Sequence, residues 1–140
     1  VARAGVFKSA FRIIHFWEKT MITQGIHHVS INVTDVDGAK EFYVDVLELV
    51  DMPRPDLGFP GAWLQAGQQE IHLLGIDSGQ PLKEQHFAFL VDDIDQVTCQ
   101  LEKHGIKFSK EMNIPNVCRQ IFAHDPSGNM IEFNQRITGG

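Results

Sequence analysis

His28-Val-Ser-Ile-Asn-Val-Thr-Asp-Val-Asp37 aligns without a gap to His86-Phe-Ala-Phe-Leu-Val-Asp-Asp-Ile-Asp95, at an offset of 58 residues. Each copy opens as a strand and then meets an aspartate suited to cap the first turn of a helix. The first helix is expected from about Val36 to Leu49, where Ala39, Phe42, Tyr43, Val46 and Leu47 make an apolar stripe. The second is expected from about Ile94 to His104, stopping at Gly105. Later strands are expected at Gly61–Ala66 and Glu70–Gly75 in one half, and at Lys107–Ser109, Cys118–His124 and Asn129–Asn134 in the other. Ala66-Gly-Gln-Gln69 and Asp125-Pro-Ser-Gly-Asn129 supply the turns between the last strands of each half. The fold class is therefore α+β, with two βαβββ modules at about residues 25–76 and 84–136. The first late strand of the first module is left unassigned.

The same duplication selects a set of side chains. Ile71-His72-Leu73 corresponds to Ile131-Glu132-Phe133 at an offset of 60, so the repeat pairs His28 with His86 and His72 with Glu132. Equivalent positions of a duplicated module approach a shared pseudo-two-fold axis, which gives four metal-capable groups a place to meet. His72 and Glu132 each sit between apolar neighbours, where a polar group needs a partner, and a cation serves. Three imidazoles and one carboxylate suit Zn²⁺, Ni²⁺, Co²⁺, Mn²⁺ or Fe²⁺ better than Ca²⁺. His15, His27, His104 and His124 have no such pairing, and strand alternation places His27 on the opposite face from His28. Arg54, in the loop from Asp51 to Phe59, and Arg119, near the start of the penultimate strand, are candidate anion contacts, weighed against ordinary surface pairing. Trp63 and Phe59 are candidate pocket walls, weighed against core packing.

At 140 residues and 15.8 kDa the chain has the length of one domain. Its 43% hydrophobic and 21% charged residues exclude a disordered or fibrous class. No stretch approaches the roughly 20 apolar residues that cross a bilayer, so a soluble protein without a membrane partner is expected. Cys99 and Cys118 belong to no CxxC pair; they read as unpaired, buried thiols of a cytoplasmic protein. The net charge of −6 disfavours nucleic acid as a partner. Residues 1–20 differ from the rest. They hold Arg3, Lys8, Arg12 and Lys19 against Glu18 alone, with Phe7, Ala10, Phe11, Ile14 and Trp17 at helical spacing. This extension, outside the domain at 21–140, reads as a packed extra helix or as translated sequence upstream of a start at Met21, in preference to a targeting peptide or surface anchor.

The stretches His28-Val-Ser-Ile-Asn-Val33, Glu41-Phe-Tyr-Val-Asp-Val-Leu-Glu-Leu49, Gly61-Ala-Trp-Leu64, Glu70-Ile-His-Leu-Leu74, His86-Phe-Ala-Phe89 and Asp125-Pro-Ser-Gly-Asn-Met-Ile-Glu132 resemble the vicinal-oxygen-chelate superfamily. That superfamily is the glyoxalase I, bleomycin-resistance and extradiol dioxygenase group. The resemblance implies sheets curled into an incomplete barrel around one divalent metal. It also implies a homodimer in which each site takes one module from each subunit, so His28 and His72 come from one chain and His86 and Glu132 from the other. The activity it implies is that of a glyoxalase-like lyase or isomerase. Its substrate is then a small bidentate carbonyl compound, converted through a metal-stabilised enediolate, with Glu132 as ligand and base. Position 72 departs from glyoxalase I, which has a second carboxylate among its ligands. Three other activities occur among similar proteins: fosfomycin-resistance-type thiol transfer, extradiol-type dioxygenation, and non-enzymatic small-molecule binding.

Overall fold

The structure, a computed structural model, describes residues 22–137, so the basic helix expected over 1–20 lies outside the described residues. Asp35 and Asp93, equivalent in the two copies, both adopt extended backbone and cap a helix as expected. Asp35 accepts from the amides of Asp37 and Gly38, and Asp93 from that of Asp95. Helix α1 (Val36–Lys40) passes into a π-helical stretch, Glu41–Val46, in place of the continuous α-helix expected there. Its wider turn is marked by the Leu47 amide donating to the Phe42 carbonyl at 3.2 Å. The widening falls where two adjacent aromatic residues, Phe42 and Tyr43, both enter the core with their rings edge to face. Helix α2 (Ile94–Lys103) buries Ile94 and Leu101 and ends at Gly105, whose φ of 67° lets the Ile106 amide turn back to the Leu101 carbonyl.

The strands are β1 (His28–Asn32), β2 (Val50–Met52), β3 (Gly61–Ala66), β4 (Gln69–Leu74), β5 (His86–Leu90), β6 (Met112–Ile114), β7 (Cys118–His124) and β8 (Met130–Arg136). They form two four-stranded sheets, ordered β1-β4-β3-β2 and β5-β8-β7-β6. Each has one parallel pair and otherwise antiparallel neighbours. The chain is thus two βαβββ modules with open sheets, as the internal repeat requires. Two strands differ from the sequence expectation. β2 was the unassigned strand, and the third strand of the second sheet is β6 rather than Lys107–Ser109, where only Phe108 makes an isolated bridge, to Ala123. With three residues each, β2 and β6 are too short for a period-2 pattern to declare itself.

One face of each sheet packs on a helix. Ile71, Leu73, Ala62 and Leu64 meet Ala39, Phe42 and Tyr43 in the first module, while Ile131, Phe133, Ile121 and Ala123 meet Ile94 and Leu101 in the second. Burying this apolar surface is the main force holding the modules together. Polar contacts also join them: the Tyr43 hydroxyl donates to Asp125 at 2.9 Å, and the Gln100 amide to the Val46 carbonyl at 3.1 Å. The opposite face of each sheet has no helix over it. Its residues on β1 and β5, His28, Ser30 and Asn32 against His86, Ala88 and Leu90, are exposed in the same alternating pattern. Both cysteines are free, although Cys99 is exposed rather than buried.

Candidate metal centre

Register decides which side chains share the helix-free faces. In the first sheet Ser30 lies opposite His72, and in the second Ala88 lies opposite Glu132. Both partners stand two residues after the strand-initial histidine, so the equivalence of His28 with His86 and of His72 with Glu132 holds residue for residue. Period-2 alternation then puts His28, Glu70, His72 and Trp63 on one face, and His86, Glu132, Phe122 and Asn134 on the corresponding face of the other sheet.

The two groups lie apart, one on each sheet. His28 and His72 stack with ring centroids 4.1 Å apart, and Trp63 stacks on His72 at 4.8 Å. His86 Nε2 lies 3.0 Å from Glu132 Oε2. Among the described residues no three His, Cys, Asp or Glu side chains of one chain gather as a metal-holding group. The four candidate ligands therefore meet in pairs within a chain.

Hydrogen bonding fixes which nitrogen each imidazole can offer. His86 Nδ1 lies 2.9 Å from the Glu84 carbonyl, which can only accept, so Nδ1 carries a proton. In the neutral ring Nε2 is then an unprotonated donor atom aimed at a carboxylate oxygen, an arrangement that calls for a proton or a cation between them. His72 Nε2 lies 2.7 Å from Glu70 Oε2, so its N–H donates there and Nδ1 is left for another partner. An imidazole with one nitrogen held by a carboxylate or carbonyl and the other free is the usual state of a metal-ligating histidine. The Asn134 amide donates to Glu132 Oε1 at 2.7 Å, which turns Oε2 toward His86. The donor set, mixed imidazole and carboxylate, fits a divalent transition ion.

Three neighbours were not singled out by the repeat alone. Glu70 shares a face with His72 by i, i+2 spacing; its hydrogen bond to His72 holds its carboxyl below the usual glutamate range. Phe122 occupies in the second sheet the place of Trp63 in the first, and its ring lies edge-on to His86 at 5.3 Å. Asn134 stands two residues beyond Glu132. In each case the parity of the strand was the signal in the sequence.

The other expectations divide. Trp63 lies with the candidate ligands, stacked on His72. Phe59 does not stack there; its ring lies 4.8 Å beneath the Arg54 guanidinium. Arg119 is corrected: it points to the helix side of its sheet, where Asp95 on α2 and Glu111 hold it at 2.7 and 2.8 Å. Those two carboxylates stabilise its charged form and occupy its donors. His27 is also corrected. It precedes β1, so strand alternation does not govern it, and its Nδ1 lies 2.9 Å from His28 Nδ1. No helix of the described residues is long and apolar enough to cross a membrane.

Comparison with known proteins gives a consistent result. The family profile described as Glyoxalase/Bleomycin resistance protein/Dioxygenase superfamily matches residues 25–133. The chain is 33% identical over 119 residues to Glyoxylase I 4 of Arabidopsis thaliana, covering 77% of this chain and 68% of that protein. It superposes on the structure of a glyoxalase family protein from Bacillus anthracis with a TM-score of 0.75 at 31% identity, covering 82% of this chain and 97% of the other. The fold alone is shared with the fosfomycin resistance protein FosX of Listeria monocytogenes, in a variant solved with Mn(II) and 1S,2S-dihydroxypropylphosphonic acid. There the TM-score is 0.74 at 16% identity, covering 83% and 95% of the two chains. By sequence and by architecture, this chain belongs to the glyoxalase/bleomycin resistance protein/dioxygenase superfamily.

Proposed function

We propose that the chain is a divalent-metal-dependent lyase or isomerase of the glyoxalase type. On this reading it works as a homodimer on a small substrate whose two adjacent oxygens include a carbonyl. The observation that carries the proposal is the His86–Glu132 pair, in which the Glu84 carbonyl commits Nδ1 and leaves Nε2 facing a carboxylate oxygen at 3.0 Å. His28 and His72 offer the complementary pair on the equivalent face.

Two half-sites on different sheets complete each other when a second copy places its second module over the first module of its partner. Exposed apolar side chains on those same faces favour such a contact: Val50, Leu90, Met112 and Ile114 are each at least 43% exposed. Covering them also protects the open sheet edges.

A divalent cation, when bound, supplies Lewis-acid polarisation of a carbonyl. His28, His72, His86 and Glu132 would hold it. Glu132 moves the proton: its side chain is 11% exposed, Asn134 orients one oxygen, and the other faces the site. A carboxylate so placed accepts a proton from one carbon and returns it to the next. Trp63 and Phe122 wall the two half-sites and exclude water from the transfer.

The test uses protein purified without chelators or affinity nickel, loaded with a divalent transition metal and screened on hemithioacetals, epimerisable thioesters, fosfomycin with thiols, and catechols. E132Q is then assayed on the substrate found. Metal content should survive while turnover falls about 10²–10⁴-fold, the usual cost of removing a general base. Near-full turnover in E132Q would remove Glu132 from this role. Oxygen consumption on a catechol, without solvent deuterium entering substrate or product, would replace the lyase or isomerase reading by dioxygenation.

A further inference from the structure

Arg54 differs from Arg119 and Lys40 in its pairing. Arg119 and Lys40 are both ion-paired, and no ion pair or hydrogen bond of the described residues includes Arg54. Yet its Nε and Nη2 are both out of contact with solvent. Two buried, unsatisfied donors on one cation are costly, and native structures keep them where an ordered water, an ion or a ligand satisfies them. Nε and Nη2 form the edge that takes a carboxylate or phosphonate through two parallel N–H···O bonds.

The position of this edge relates it to the metal centre. Arg54 lies against Gly61: a Cβ there would sit 3.1 Å from Arg54 Cζ and Nη2. Only a glycine lets the guanidinium rest so close to the sheet. Gly61 shares the helix-free face of β3 with Trp63, two residues or about 7 Å away, and Trp63 stacks on His72. Phe59 covers one face of the guanidinium at 4.8 Å. Residues 55–58, which lead to it, are exposed.

We propose that Arg54, seated on Gly61, is an anion subsite that binds a carboxylate or phosphonate group on the substrate, one short spacer away from the oxygens that meet the metal. The proposal rests on the metal-centre reading and narrows it to anionic substrates. Entry of the anion displaces Phe59 from the guanidinium and gives both orphaned donors a partner.

The experiment compares glutarate monohydroxamate, a two-oxygen chelator with a terminal carboxylate, with its uncharged methyl ester. Calorimetry measures both on Mn²⁺-loaded wild-type protein and on R54Q. The acid should bind about 10- to 100-fold more tightly than the ester to wild type, the range of a charge-assisted bidentate contact. R54Q should lose that preference while keeping its metal content and its affinity for the ester. R54K, which keeps the charge without the two-donor edge, should keep a small part of it, and it replaces R54Q if that variant does not fold. Equal affinities in wild type, or a preference that survives in R54Q, would overturn the subsite.

Failure of the ester to bind wild type would count against the metal centre instead. The subsite is then decided on chelator-treated protein, by following the Arg54 Nε–H resonance, identified by its loss in R54Q, during titration with methylphosphonate. A saturable shift supports the subsite. An unmoved resonance overturns it, as does one already held by a carboxylate of a second copy.

Discussion

Replacing Tyr43 with Phe removes a single hydroxyl from the contact that ties the first module to the second. Tyr43 is 0% and Asp125 4% exposed, and the hydroxyl donates to Asp125 Oδ2 at 2.9 Å. A bond to a buried carboxylate contributes about 1.5–3 kcal/mol. Asp125 retains three further donors, the amides of Ser127 and Asn129 and the Asn129 side chain. The lower half of that range therefore applies, about 1.5–2 kcal/mol. The phenyl ring keeps its place, so no cavity adds to the loss. For a chain of this length the melting temperature should fall by roughly 5–8 °C. Urea unfolding checks the magnitude: the midpoint should drop with an unchanged m-value, because the surface exposed on unfolding is the same. A loss below about 0.5 kcal/mol would show that the Tyr43–Asp125 bond does not hold the modules together.

Tyr43, the only tyrosine of the chain, also reports on pH. Burial and the facing Asp125 raise its phenol well above the ordinary value near 10. Its contribution to stability is therefore complete below about pH 10 and declines above it, as the unfolded chain releases a proton that the native chain keeps. Phenolate absorbance should be absent in the native protein at that pH and appear on unfolding; an ordinary titration of the native protein would contradict this. Asn134→Leu should weaken metal binding by about 10–100-fold by freeing Glu132, read by competition with a chromogenic chelator; undiminished affinity would show that Asn134 does not orient the ligand. Gly61→Ala places a Cβ 2.5 Å from the Leu73 carbonyl, and should destabilise by about 1–3 kcal/mol in a urea titration. Arg119→Met should leave metal content and chelator affinity unchanged, because the side chain lies on the helix side of its sheet; a lost affinity would put Arg119 back in the site.

The duplication was legible because it is written in residue identity. A histidine opens β1 and β5, an aspartate caps both helices 58 residues apart, and Ile-His-Leu and Ile-Glu-Phe occupy matched registers. Short strands were not. β2 and β6 owe their strand form to pairing with β3 and β7 rather than to any pattern of their own. The π-helical stretch was hidden for a related reason: an apolar stripe of Ala39, Phe42, Tyr43 and Val46 satisfies both helix types at this length. Arg119 and Arg54 are indistinguishable by residue type, each being a lone arginine with acids elsewhere in the chain to pair with. Only tertiary placement separates them, since Asp95 and Glu111 lie 24 and 8 residues from Arg119 in sequence and Arg54 meets no acid among the described residues. Glu70 was missed although its spacing to His72 was visible, because the repeat places Met130 opposite it in the second module and the pairing rule passes over unmatched positions.

The central claim is that each metal centre joins His28 and His72 of one chain to His86 and Glu132 of another. Two differently tagged variants, H28A/H72A and H86A/E132A, are coexpressed and the mixed dimer is isolated through both tags. In that dimer one composite site keeps all four ligands and the other loses all four. Metal analysis after equilibration with Mn²⁺ or Zn²⁺ should therefore find one ion per mixed dimer and none in either parent dimer. A mixed dimer as empty as its parents would contradict a site shared between chains.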